Sequence, residues 1–123
     1  MAHILVIDDE ADICCILTEF LTLEGHTIDT AENGKAGLRL AEQNQYDLII
    51  TDIVMPEMDG LEFLTAIKEK FPEIGIIVMS GGTLKMENGL LLSMNRDMKA
   101  YKAIAKPISF KELKAAVNMV LEG

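Results

Sequence analysis

Leu48-Ile49-Ile50-Thr51-Asp52 is apolar at three consecutive positions and then stops on a carboxylate. Strict alternation would mark a strand with one wet face, whereas an unbroken apolar run marks a parallel strand covered by helices on both faces. The segment therefore predicts the centre of a parallel sheet. A second run, His3-Ile4-Leu5-Val6-Ile7, ends on Asp8-Asp9. If these two strands are neighbours, their carboxyl ends open on one edge and three acids share a crevice, the place where open α/β sheets bind ligands. Like charges so crowded require a cation or a proton. The pattern points to a metal-assisted acidic site.

Outward from these strands, helix and strand signals alternate. Ile13, Ile16, Leu17, Phe20 and Leu21 recur at helical spacing and end at Gly25. Thr27 to Thr30 reads as a weaker strand, Asn33-Gly34 as a turn and helix cap, and Ala36, Leu40 and Ala41 as one face of a short helix. Beyond Asp52, Pro56 rules out regular helix through Met55-Pro56-Glu57-Met58-Asp59-Gly60. Leu61, Leu64, Ile67 and Phe71 then mark a helix that halts before Pro72, and Gly75-Ile76-Ile77-Val78-Met79 a fourth strand. The stretch 81–100, with Leu90-Leu91-Leu92, Met94 and Met98, reads as a helix of ill-defined ends. Lys102 to Ala105 makes a short fifth strand, and Ser109-Phe110-Lys111-Glu112 is a capping box opening a last helix with Leu113, Val117, Val120 and Leu121 on one face. Such alternation calls for an α/β fold, a parallel sheet between helices with right-handed crossovers.

At 123 residues, half of them hydrophobic, the chain fits one domain, 1–123. A net charge of -9, from 11 Lys and Arg against 20 Asp and Glu, disfavours direct nucleic-acid contact, which rests on clustered positive charge. No apolar stretch approaches the roughly 20 residues that span a bilayer, and no signal-peptide pattern opens the chain, so the expectation is no membrane insertion and a cytoplasmic location. Cys14 and Cys15 are adjacent on a predicted helix, diverge by about 100° and are poorly placed to bridge one another, so they read as reduced, buried core thiols.

Asp8-Asp9 after the first strand, Asp52 after the third followed by Ile53-Val54-Met55-Pro56 and Gly60, Ser80 after the fourth and Lys106-Pro107 after the fifth together resemble a two-component response-regulator receiver domain. The resemblance spans essentially the whole chain. It implies a flavodoxin-like, doubly wound (βα)5 fold with a five-stranded parallel sheet in the order 2-1-3-4-5. It also implies a phosphoacceptor that catalyses its own phosphorylation and dephosphorylation without being a turnover enzyme. The donor would be a phosphohistidine on a sensor histidine kinase or histidine phosphotransfer protein, and the output a surface read by a downstream protein target. His3 and His26 fall on no motif position.

The residue types suit that chemistry. The Asp52 carboxylate can attack phosphorus to give a mixed anhydride, but the incoming phosphoryl group is anionic. Mg²⁺ resolves the conflict, because it takes one or two carboxylates together with water and phosphate oxygens. Asp9 and Asp52 would supply direct ligands and Asp8 would orient a metal-bound water, and the resemblance adds the backbone carbonyl of Val54. Acids at a solvated helix amino terminus are the bland account of Asp8 and Asp9. Lys106 would pair with Asp52 or a phosphoryl oxygen, its backbone restricted by Pro107; Ser80 would offer its hydroxyl to another. Gly60 would permit positive φ or close helix packing.

Two departures stand out. Receivers carry Tyr or Phe three residues before the lysine, a switch whose rotamer tracks the hydroxyl residue; that position is Ala103, and Tyr101, two residues earlier on the same strand face, is the candidate substitute. The stretch from Ser80 to Lys106 is also longer than the receiver pattern, and its Met and Leu density suits either core packing or an adaptable output face. The alternative reading is a pseudo-receiver, an interaction module that works without phosphorylation. A flavin carrier is disfavoured because Asp8-Asp9-Glu10 would repel phosphate, and a haloacid-dehalogenase-type phosphatase because its first-strand acids are spaced by one. The chain would be either a stand-alone receiver or a fragment parted from its effector.

Overall fold

The computed structural model describes residues 2–52, 60–80, 101–105 and 108–122. Val54, Lys106 and the helix expected over 81–100 lie outside the described residues; for Gly60, Ser80, Tyr101 and Ala103 only the backbone is described. Strands β1 (His3–Ile7), β2 (Thr27–Ala31), β3 (Leu48–Asp52), β4 (Gly75–Ser80) and β5 (Tyr101–Ala105) interleave with helices α1 (Ala11–Leu23), α2 (Gly34–Gln43), α3 (Gly60–Lys70) and α4 (Phe110–Glu122). All pairings are parallel, in the order β2-β1-β3-β4-β5. The α/β architecture is that expected from the sequence.

β3 is buried along its whole length, as its unbroken apolar run predicts. Its two faces feed two cores. Ile4, Val6, Leu48, Ile50, Ile77 and Met79 pack with Leu17 and Leu21 of α1 and Leu113, Ala116 and Val117 of α4. Leu5, Ile7, Ile49, Ile76 and Val78 pack on the other side with Ala41 of α2 and Phe63, Leu64 and Ile67 of α3.

Local chemistry sets the ends of the elements. Gly25, at φ 96, closes α1. There His26 N–H donates to Leu21 O at 3.1 Å and Gly25 N–H to Thr22 O at 3.0 Å, the paired bonds of a Schellman turn. Asn33 caps α2 as predicted, its Oδ1 accepting from Ala36 N–H at 2.7 Å. Ser109 Oγ accepts from Glu112 N–H at 3.4 Å, one half of the predicted capping box.

Three expectations are corrected. The helical spacing groups Ile16 with Leu17 and Leu21, but Ile16 is 46% exposed; the buried stripe of α1 follows Leu17 and Leu21. Phe63, absent from the expected face of α3, is completely buried. Cys15 is exposed and Cys14 only half-buried at the margin of the core, because neighbouring side chains on α1 diverge and only one of the two thiols can pack toward the sheet.

Candidate metal centre

Register brings the acids together. Ile7 of β1 pairs with Thr51 of β3, so the next residues along each chain, Asp8 and Asp52, emerge side by side at the carboxyl edge. On the other flank Asp52 pairs with Met79, and Ser80 with Ala105, so the backbone of Ser80 follows one residue beyond the partner of Asp52. A carboxylate oxygen from each of Asp8, Asp9 and Asp52 lies within 4.8 Å of the others.

Asp8 is 1% and Asp52 7% exposed, whereas Asp9 is open to solvent. Buried carboxylates persist only with compensating partners. Asp8 N–H donates to Ala31 O at 3.1 Å, tying it to β2. Asp8 Oδ1 accepts from Glu10 N–H at 2.9 Å, closing the turn into α1, and Asp8 O accepts from Cys14 Sγ at 3.4 Å. Behind the site, buried Thr51 Oγ1 donates to Asp52 O at 3.0 Å. Asp9 stands just ahead of the amino terminus of α1, whose dipole favours an acid there, but that account covers neither Asp8 nor Asp52. Three oxygen donors with three negative charges fit a hard divalent cation of the Mg²⁺ or Ca²⁺ type.

Sequence reasoning missed the polar partners that brace this edge and its opposite pole. Cys14 contributes through its contact with Asp8 O, and no spacing rule signals that. At the amino end of the sheet, His3 Nε2 lies 2.9 Å from Asp29 Oδ2, which also accepts from Tyr46 Oη at 2.7 Å. Burial, with the hydrogen bond to Asp29 second, pushes the Tyr46 phenol well above its usual range. His26 Nδ1 accepts from Ala2 N–H at 3.1 Å. Both histidines thus have structural partners away from the acidic edge.

A parallel α/β sheet with a cation-suited acidic cluster at its carboxyl edge defines a class of ligand-binding signalling and catalytic domains. Residues 4–118 match the response regulator receiver domain family, and the chain belongs to it. It is 37% identical over 98% of its length to the DNA-binding transcriptional regulator NtrC of Azospirillum brasilense, of which it covers 24%. It is 34% identical over 98% of its length to the response regulator ArlR of Staphylococcus haemolyticus, of which it covers 53%. The chain thus spans from a quarter to about half of the curated relatives it matches.

Among solved structures, it resembles a receiver domain protein from Clostridium thermocellum with TM-score 0.87 and 31% identity, covering 99% of this chain and 95% of that one. It also resembles the response regulator TrrA of Thermotoga maritima, solved with Mg²⁺-BeF, with TM-score 0.85 and 37% identity, covering 98% of this chain and 100% of that one. The family makes this a signalling module of two-component systems and not a conventional enzyme. Among the described residues no helix is long and apolar enough to cross a membrane.

Proposed function

We propose that Asp52 accepts a phosphoryl group from a phosphohistidine of a sensor kinase or phosphotransfer protein, in an Mg²⁺-dependent reaction, and that the modified domain is read by a protein target. The observation that carries this reading is the convergence of Asp8, Asp9 and Asp52 within 4.8 Å. A carboxylate of Asp52 attacks phosphorus, the phosphorus–nitrogen bond of the donor breaks, and the imidazole leaves. When bound, Mg²⁺ would supply the positive charge that an anionic phosphoryl group needs to approach three acids. Asp9 and Asp52 would be its direct carboxylate ligands, with the carbonyl of Val54 as a further donor that the family resemblance implies, while Asp8, held by Glu10 N–H, would orient a metal-bound water.

In the same reading the 1–123 segment is one receiver domain of the flavodoxin-like type. Lys106 neutralises charge left on the phosphoryl oxygens and Ser80 donates its hydroxyl to one of them. Phosphorylation shifts a population between two conformations, with Tyr101 the candidate substitute for the aromatic missing at Ala103. The partners are proteins in the cytoplasm; the net charge of -9 weighs against direct nucleic-acid contact by this segment.

The test is intact-mass analysis after incubation with Mg²⁺ and a small acyl phosphate. One monophosphate adduct is expected in the wild type and none in Asp52→Ala or in the presence of a chelator. If the wild type stays unmodified by both the acyl phosphate and a phosphorylated histidine phosphotransfer protein, the module works without phosphorylation. Val54 offers no group to orient an attacking water, so the adduct is expected to persist; rapid Mg²⁺-dependent decay would contradict that assignment.

A further inference from the structure

A cleft of about 820 Å³ opens where the end of β2 passes between α1 and α2. Its floor is apolar, built by Cys14, Ala31, Ala36 and Leu40, and its size lies in the range of small-molecule sites. Beside it, the Thr18 hydroxyl is closed off from solvent and has no hydrogen-bond partner among the described residues. Buried hydroxyls without partners are rare. Threonine in a helix divides between two χ1 wells, so this hydroxyl can turn toward an occupant. The charge of the lining is one-sided, with Asp8, Asp9, Glu19 and Glu32 against the single cation Arg39 among the described residues.

We propose that this cleft binds a small organic cation with an apolar body, an aryl- or alkylamine, and that its occupancy opposes cation binding at Asp8, Asp9 and Asp52. The apolar body covers Cys14, Ala31 and Leu40, the ammonium sits against Glu19 and Glu32, and Thr18 supplies an acceptor. Asp8 and Asp9 belong to both the cleft and the metal cluster, so two cations bound together repel. Linkage makes that opposition reciprocal. The amine site stands without the metal reading; the coupling rests on it.

The probe is phenethylammonium, titrated into the isotopically labelled chain without Mg²⁺ and followed by amide correlation spectra, with phenylacetate as the charge-reversed control. Saturable shifts are expected at Cys14, Thr18, Ala31 and Leu40 with the amine and none with the acid. Combined Glu19→Gln and Glu32→Gln, both on exposed residues, is expected to raise Kd about fivefold or more through loss of charge-assisted contacts. Cys15→Trp, on an exposed wall position, is expected to block the cleft. Equal shifts with the acid, unsaturable shifts spread over the acidic surface, or unchanged affinity in the double variant would overturn the site. Saturating Mg²⁺ is expected to weaken the amine about fivefold, and saturating amine to weaken Mg²⁺ by the same factor. Unchanged affinities would overturn the coupling. Mg²⁺ titration of the amine-free chain tests the metal centre separately; a failure there removes the coupling while the amine isotherm still decides the cleft.

Discussion

Asp8 joins three elements through one residue: its amide to β2, its carboxylate to the turn before α1, and its carbonyl to Cys14. It does so while 1% exposed and beside two other acids. Asp8→Asn keeps an acceptor for Glu10 N–H and removes one of the clustered charges. The metal-free domain is expected to gain about 1 kcal/mol in urea unfolding from relief of like-charge repulsion. The same substitution is expected to weaken Mg²⁺ about 10- to 100-fold, read by titration calorimetry, as loss of a group that orients the metal's surroundings does. At the opposite pole, Tyr46→Phe removes the 2.7 Å bond to Asp29 and is expected to cost about 1 kcal/mol. The Tyr46 phenol is raised in the folded state, so its stabilising contribution is complete below the unfolded value of about 10 and is lost as pH climbs above it. Ultraviolet titration of the phenols is expected to show Tyr46 ionising only with alkaline unfolding, and Tyr46→Phe to flatten the alkaline arm of the stability profile.

At the scale of elements, α2 lies against the sheet through a glycine. A Cβ at Gly37 would sit 2.4 Å from Ile7 Cδ1 and 2.9 Å from Ile7 Cγ1, far inside contact distance. Gly37→Ala gains about 1 kcal/mol of helix propensity, but overpacking a buried interface costs about 1 to 3 kcal/mol, so a net loss is expected in denaturant unfolding. Ile7→Val removes Cδ1, and the double variant is expected to recover part of that loss, a coupling that additive single effects would not produce. The α1 terminus is simpler: Gly25→Ala places a side chain at φ 96 and is expected to destabilise by about 1 kcal/mol. Both helix starts with a capping signal, Asn33 and Ser109, were legible, because a cap is made by neighbours in the chain. Which side of α1 is buried was less so. Ile16 and Leu17 are adjacent and both apolar, and only the position of the sheet decides that Leu17 goes in and Ile16 stays 46% exposed.

For the whole molecule, a cation bound only by the folded state adds stability in proportion to the logarithm of its concentration over Kd. Mg²⁺ is therefore expected to raise the thermal midpoint of the wild type, with about 2.7 kcal/mol gained at one hundred times Kd. Asp52→Ala and Asp9→Ala, each lacking a ligand, are expected to lose most of that increment in a calorimetric scan. An equal rise in all three proteins would place the effect on general screening of the net charge of -9.

The sequence by itself determined the class of fold and the meeting of three acids at one edge of it. Unbroken apolar runs in β1 and β3, alternating with helical periodicity, admit little besides a parallel sheet between helices. Acids at two strand ends then meet on one edge, because parallel strands share their direction. What only the tertiary structure decided is register and side. The pairing of Ile7 with Thr51 aligns Asp8 with Asp52, and a slip of one residue would turn them to opposite faces. The exposure of Cys15, the burial of Phe63, the Asp29 bonds of His3 and Tyr46 and the cleft beside β2 depend on elements distant in the chain. No local periodicity encodes such contacts, since each side chain's surroundings exist only once the sheet has assembled.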